Sequence, residues 1–228
     1  MAQYQPQGFS ILPPAVKHLL IINVLLYGLH YVLALRGINL YSLGAHTLGM
    51  PFPSNYFVTL NDIFGMWSLD THGFGIWQPL TYMFMHANLS HLFFNMFALW
   101  MFGNTMENFW GTKRFLVYYL VCGLGAGIIT MFIPGSHTVG ASAAVYGLLL
   151  AFGMTFPNEY IYLYFLMPIK AKWFVIGYAA LELIQGLFYS YDGVAHFAHL
   201  GGMLVGLLLI LWWRRNPFGR NPFQHFRN

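Results

Sequence analysis

The chain has 228 residues, of which 58% are hydrophobic and only 7% are Asp, Glu, Lys or Arg. Soluble domains carry about 25% charged residues, so this composition excludes a water-soluble globular protein and indicates a polytopic membrane protein. The formal net charge of +4 does not indicate nucleic-acid binding, because the basic residues stand at the ends of apolar segments, where they orient a membrane protein.

Six apolar segments follow one another along the chain, and a bilayer core of about 30 Å needs roughly 20 residues per helix. We therefore predict an all-α membrane bundle of six transmembrane helices at residues 16–213, preceded by a tail at residues 1–15 and followed by a basic tail at residues 214–228. The predicted spans are residues 16–35, 89–109, 115–133, 142–156, 173–189 and 196–213. A long loop of residues 36–78 separates the first two spans.

The basic residues flank the predicted spans asymmetrically. With six spans, all but Arg36 fall on one side of the membrane: Lys17, Lys113, Arg114, Lys170, Lys172, Arg214, Arg215, Arg220 and Arg227. Because basic residues concentrate on the cytoplasmic side, both termini are predicted to be cytoplasmic and the long first loop to face outward. The expected location is a bacterial inner membrane.

Polar residues are costly inside a membrane and are usually functional there. Ser142, His199 and Asn95 each lie fifteen residues before the residue that marks the cytoplasmic limit of their span, which is Pro157, Arg214 and Trp110 respectively. At 1.5 Å per residue, all three are expected in one layer about 22 Å from that end, with His91 one helical turn above Asn95. The span that begins at Ser142 is short, so residues 134–140 are expected to dip into the membrane beside a water-filled cavity that opens outward.

These residue types suit nucleophilic catalysis. A serine hydroxyl needs an adjacent base, and histidine is suited to that role, so Ser142 and His199 are predicted as nucleophile and general base. Asn95, His91 and the backbone N–H of Ser142 are candidate oxyanion donors. Tyr146 lies one turn below Ser142 and is positioned to orient the imidazole.

Other interpretations of these polar residues remain. No carboxylate is expected near Ser142 and His199, which indicates a Ser–His dyad. Glu182, in the fifth span, is interpreted as a structural residue rather than a proton relay. His196 is a rival base. Taken alone, Ser142 is better explained as a helix cap or small packing residue and His199 as a structural residue, and only their shared depth and side favour catalysis.

Small residues at four-residue spacing recur on two predicted spans. Such stripes let membrane helices approach closely, and these two are expected to bring Ser142 within reach of His199. One stripe contains Ala143, Gly147 and Ala151, and the other contains Gly202 and Gly206.

These motifs resemble those of the rhomboid family, and the resemblance covers nearly the whole chain. Gly140-Ala141-Ser142, followed by Tyr146-Gly147, is similar to the nucleophile motif of that family. Residues 198–202, with Gly206 after them, are similar to the motif of the catalytic histidine. Residues 86–91 and Asn95 resemble the second-span motif, in which the equivalents of His91 and Asn95 assist the oxyanion and that of His86 is structural.

The resemblance implies a serine endopeptidase that cleaves membrane proteins in or near a transmembrane helix, within lipid and without a metal or organic cofactor. It also places Ala141 beside the oxyanion. It further implies a substrate gate made of a mobile fifth span and a loop cap around residues 189–194. Two positions depart from the family: Ala143 replaces the usual glycine, and Gln78 follows Trp77 where many members have arginine.

Two other functional classes were weighed. A rhomboid-like protein that binds membrane proteins without cleaving them is disfavoured, because Ser142 and His199 are both present. A transporter would show paired discontinuous helices in repeated halves, and the sequence has no such repeat. The substrate and the oligomeric state do not follow from the sequence.

Overall fold

The computed structural model describes residues 10–50, 52–71, 73–163, 167–188 and 195–215. The loop cap of the predicted substrate gate, at residues 189–194, therefore lies outside the described residues. So do most of both predicted tails. The fold is mostly helical, and its helices are α1 (Pro14–Leu35), α2 (Leu60–Phe64), α3 (Gln78–Thr81), α4 (Leu89–Ala98), α5 (Asn104–Trp110), α6 (Thr112–Thr130), α7 (Ser142–Thr155), α8 (Ala171–Phe188) and α9 (His196–Arg215).

Four of the described helices, α1, α6, α8 and α9, have the length and apolar composition of a membrane span. The second predicted span is an uninterrupted helical run in which a π-helical turn, Leu99–Gly103, joins α4 to α5. The fourth is α7, which has 14 residues. The protein is thus a helical membrane protein, while the count of six crossings stays a prediction.

Helix α7 packs against α6, α8 and α9. Nine of its fourteen residues are buried, among them Ala143, Ala144, Gly147 and Ala151. By contrast, α1 is exposed along most of its length, as expected of a helix that faces lipid. Small side chains on α7 let its neighbours approach closely, which is how membrane helices gain packing energy without a hydrophobic driving force.

The two stripes of small residues meet different neighbours. A methyl group on Gly202 would lie 2.0 Å from the Ala143 carbonyl oxygen, so Gly202 faces the first turn of α7. A methyl on Gly206 would instead meet the Tyr118 hydroxyl of α6 at 2.3 Å. Gly202 therefore admits the backbone of α7, whereas Gly206 admits the Tyr118 side chain between α6 and α9.

A buried carboxylate anchors the start of α1. The first turn of this helix has no side-chain cap of its own. Glu107, in the middle of α5, accepts hydrogen bonds from the backbone N–H groups of Ala15 and Val16 at 2.9 and 2.8 Å, and from the Thr112 hydroxyl at 2.7 Å. A negative charge is stabilised at a helix N-terminus, so Glu107 fixes α1 against the rest of the bundle.

The long first loop has more regular structure than its sequence indicates. It contains α2 and a two-residue strand, β1 (Met66–Trp67), which pairs antiparallel with β2 (His137–Thr138) just before α7. Hydrogen bonds from the Ser68 hydroxyl and the Gly135 amide hold the pKa of Asp70 below its ordinary value. The loop therefore ties down the segment that leads into Ser142.

A second antiparallel pair, β3 (Tyr160–Leu163) and β4 (Met167–Lys170), lies between α7 and α8. This pair was not predictable from the sequence pattern, because its strands are only four residues long.

The contact at Gly202 predicts a large effect of one methyl group. Gly202→Ala would press a methyl against backbone atoms of α7, so we expect the protein to lose about 1–3 kcal/mol of stability, as overpacked sites do. Gly177→Ala is the matched control, because Gly177 lies on an exposed face of α8 with open space around it. Thermal unfolding in detergent should show a lower midpoint for Gly202→Ala only, and equal midpoints would contradict this packing.

Candidate active site

Ser142 and His199 lie side by side where α7 meets α9. Ser142 is the first residue of α7, and His199 lies in the first turn of α9. The Ser142 Oγ and the His199 Nε2 are 2.8 Å apart, which is hydrogen-bond distance. His199 is buried and Ser142 only partly so, which leaves the hydroxyl open to an approaching group.

Ala143 occupies the second position of α7 and is 1% exposed. Because this position is helical, its φ is negative and an alanine there carries no backbone strain. The departure from the usual glycine is accommodated by Gly202, which presents no side chain to the Ala143 backbone.

The His199 ring is held from one face by an aromatic ring. Tyr146, one turn after Ser142 on α7, stacks on it with ring centroids 4.4 Å apart and planes 6° from parallel. The Tyr146 hydroxyl is not free, because it donates a hydrogen bond to Glu182 Oε1. Stacking of this kind restricts the rotation of the imidazole while leaving its edge accessible.

Glu182, from α8, lies at the centre of a hydrogen-bonded cluster. Its Oε2 is 2.7 Å from His196 Nδ1 and 3.0 Å from His199 Nδ1. The expectation that no carboxylate lies near Ser142 and His199 was therefore wrong. The carboxylate comes from the middle of an apolar helix. An ionisable residue inside a span is itself a signal of function.

Glu182, His196 and His199 have the side-chain types that bind metal ions, and one candidate ligand atom from each lies within 4.8 Å of the others. Each of the two histidines, however, directs its Nδ1 to the same carboxylate oxygen. The cluster is therefore explained by contacts within the protein.

His196, the rival base, lies on the far side of this cluster from Ser142. Its Nδ1 meets Glu182, and its ring centroid is 6.4 Å from that of His199. The hydroxyl of Ser142 is paired with His199.

The backbone before Ser142 makes a turn that requires glycine. Gly140 has φ of 124°, a conformation that other residues rarely adopt. A methyl group there would also lie 2.8 Å from His91 Nε2 and 3.5 Å from Asn95 Nδ2. The Gly140 amide donates to the Tyr82 carbonyl at 2.9 Å, and the next residue, Ala141, is fully buried. The turn thus brings two side chains of α4 beside the start of α7.

Asn95 presents an unsatisfied donor at this turn. It is 5% exposed, and within the described part of the chain its Nδ2 has no hydrogen-bond partner. A buried donor without a partner is costly, which marks the position as one where a ligand atom is expected. The His91 ring packs edge-on against the buried His86 ring, with centroids 5.2 Å apart. His86 thereby supports His91 from behind.

Comparison with known proteins identifies the fold. The rhomboid domain matches residues 73–216, which is more than half of the chain. RHOMBOID-like protein 6, mitochondrial, from Arabidopsis thaliana is 34% identical over 164 residues, covering 71% of this chain and 51% of its own.

Bacterial relatives give a similar result. The rhomboid protease GlpG of Photorhabdus laumondii is 29% identical over 164 residues, or 70% of this chain and 55% of the relative. That of Yersinia pseudotuberculosis is 32% identical over 151 residues, or 62% and 49%. The chain thus spans about half the length of the curated relatives it matches. With its apolar helices, the chain belongs to the rhomboid family of membrane proteins.

Proposed function

We propose that this protein is an intramembrane serine endopeptidase that cleaves membrane proteins in or near a transmembrane helix. The observation that carries the proposal is the 2.8 Å contact between Ser142 Oγ and His199 Nε2 at the first turn of α7. The relatives named rhomboid protease support a protease, and the presence of both side chains in this geometry disfavours a binding protein without activity.

In the proposed reaction, His199 Nε2 takes the proton of the Ser142 hydroxyl as the oxygen attacks the scissile carbonyl carbon. The carbonyl becomes a tetrahedral oxyanion. The imidazolium then gives its proton to the leaving amine, the C–N bond breaks, and the acyl group stays on Ser142. In the second half of the reaction, water gives a proton to His199 and attacks the acyl carbon. The Ser142 oxygen then leaves with that proton, which releases the second fragment and restores the free serine. This is the ordinary division of roles between a serine and a histidine.

The oxyanion needs donors that are already in place. Asn95 Nδ2 and His91 Nε2 lie beside Gly140, and the N–H groups at the start of α7 have no intrahelical acceptor. We propose that these groups bind the oxyanion, with the buried backbone at Ala141 shaping the same pocket. Such preorganised donors are often the largest single contribution to catalysis.

The proposed substrates are single helices that approach the bundle through lipid, because Ser142 and His199 lie among apolar helices. We further propose six crossings with cytoplasmic termini, from the distribution of basic residues. One relative is described as mitochondrial, and a bacterial inner membrane is our proposal for this chain.

The dyad predicts which substitutions abolish cleavage. With a transmembrane substrate reconstituted in vesicles, Ser142→Ala and His199→Ala should each lower kcat by at least about 10⁴-fold, as removal of a nucleophile or base does. His196→Ala should keep a measurable rate. Ser54→Ala, an exposed serine of the first loop, is the control. Activity in His199→Ala together with none in His196→Ala would move the base to His196.

The oxyanion assignment predicts a loss of turnover without a loss of structure. Asn95→Ala should lower kcat by about 10²–10³-fold, because one donor to the tetrahedral intermediate is removed. Asn23→Ala is the matched control, since Asn23 is a buried asparagine of α1 whose side chain donates to the Leu19 carbonyl of its own helix at 2.7 Å. A wild-type rate for Asn95→Ala would make Asn95 structural and leave His91 as the donor to test.

A further inference from the structure

Glu182 is a buried carboxylate in the middle of an apolar helix. It lies within α8, one of the described helices able to span a membrane, and is 5% exposed. A charge in such a place is expensive unless it is paired, and charged residues there usually serve a function. The proposed dyad of Ser142 and His199 makes no use of it.

The partners of Glu182 all belong to the site. One oxygen accepts from Tyr146, the residue that stacks on His199. The other oxygen faces the Nδ1 atoms of His196 and His199 at 2.7 and 3.0 Å. Tyr146 and His196 thus hold the carboxylate in place, and its remaining contact is with Nδ1 of His199, on the opposite edge of that ring from Ser142.

His199 Nδ1 has no competing partner. The atom is buried, and among the described residues nothing bonds it with good angular geometry. The Glu182 oxygen at 3.0 Å is off the axis of the ring N–H, so the present contact is electrostatic rather than a well-aligned hydrogen bond. Hydrogen bonds among catalytic groups are often poorly aligned before substrate binds and tighten in the complex.

We propose that Glu182 is a positioning residue that acts through His199, so that the site works as a Ser142–His199–Glu182 triad. The carboxylate holds the proton of the neutral ring on Nδ1, which leaves the Nε2 lone pair facing the Ser142 hydroxyl. It then stabilises the imidazolium that forms when Nε2 takes the serine proton. No proton passes to Glu182 in this scheme, as in other serine hydrolases with a buried acid. The proposal rests on the proposed function.

Titratable side chains from α4, α7, α8 and α9 lie around His199. They are Glu182 and Tyr178 on α8, Tyr146 on α7, His91 on α4 and His196 on α9 itself. Of these, Glu182 supplies negative charge at neutral pH. Replacing the carboxylate with a neutral amide should therefore make protonation of His199 less favourable, which moves the acidic limb of a rate–pH profile to lower pH.

The test compares Glu182→Gln, Glu182→Asp and Glu107→Gln in the full chain, with kcat measured from pH 4 to 9 and thermal unfolding measured in parallel. Glu182→Gln should lower kcat at neutral pH by about 10²–10⁴-fold, toward the loss seen when a triad carboxylate becomes an amide, and should move the acidic limb to lower pH. Glu182→Asp keeps the charge, so its acidic limb should stay near that of the wild type. Glu107→Gln removes a buried carboxylate that is remote from the site, so it should lower the unfolding midpoint without moving the limb.

A folded Glu182→Gln variant with the wild-type kcat and pH profile would overturn the proposal. So would a loss of kcat with an unmoved acidic limb, since that is what a purely structural role gives. The ¹⁵N NMR spectrum of histidine-labelled wild-type protein provides a test that needs no Glu182 variant. The His199 resonances, assigned by their loss in His199→Ala, should show the Nδ1–H tautomer, and the Nε2–H tautomer would overturn the proposal.

Failure of the proposed function is recognised separately. In that case the wild-type protein cleaves nothing, or Ser142→Ala cleaves as fast as the wild type. The NMR measurement still reports which nitrogen of His199 carries the proton.

Discussion

The close contact between α7 and α9 determines the geometry of the whole site. Gly202 of α9 lies against the backbone of Ala143 of α7. Gly202 comes three residues after His199, and Ala143 comes one residue after Ser142. Neither helix could approach the other so closely with a larger residue at position 202. The 2.8 Å separation between the serine oxygen and the histidine nitrogen is therefore a consequence of packing between small residues, which is the main source of specificity between membrane helices.

A second constraint acts on the polar groups that this packing encloses. Lipid offers no hydrogen bonds, so a polar side chain in a spanning helix must find its partner inside the protein. Glu107 meets this requirement at the N-terminus of α1 and serves the architecture. Glu182 meets it with Tyr146 and two histidines, which places its charge at the site. Asn95 leaves its amide N–H groups without a partner among the described residues, which suits a group reserved for substrate.

Much of this could be predicted from the sequence, because the chemistry of a membrane interior makes polar residues conspicuous. The spacing of Ser142 and His199 from basic or proline-marked span ends indicated a shared level, and the structure brings the two side chains together. Their catalytic roles stay predictions. The helix limits also agree with the apolar segments to within a few residues, although α7 is shorter than a full span.

Other features depend on contacts that no local pattern reveals. The sequence favoured a structural role for Glu182 and did not connect it with Ser142 or His199, since its partners lie on α7 and α9. Consecutive helices joined by a short connection run antiparallel, and Glu182 and His199 are within about one turn of the same level on α8 and α9. Comparing the levels of the two residues in this way would have predicted a contact between Glu182 and His199. The pairing of β1 with β2 was not predictable, because two-residue strands have no periodicity and form through tertiary contact.

Covalent labelling measures whether Ser142 is a nucleophile activated by its neighbours. The purified protein would be treated in detergent with a fluorophosphonate, which reacts with activated serines, and the adduct located by mass spectrometry of its peptides. The account predicts a single adduct, on Ser142, that is absent from protein unfolded before treatment. A folded protein that takes up no label, or one that carries the label on another residue, would contradict it.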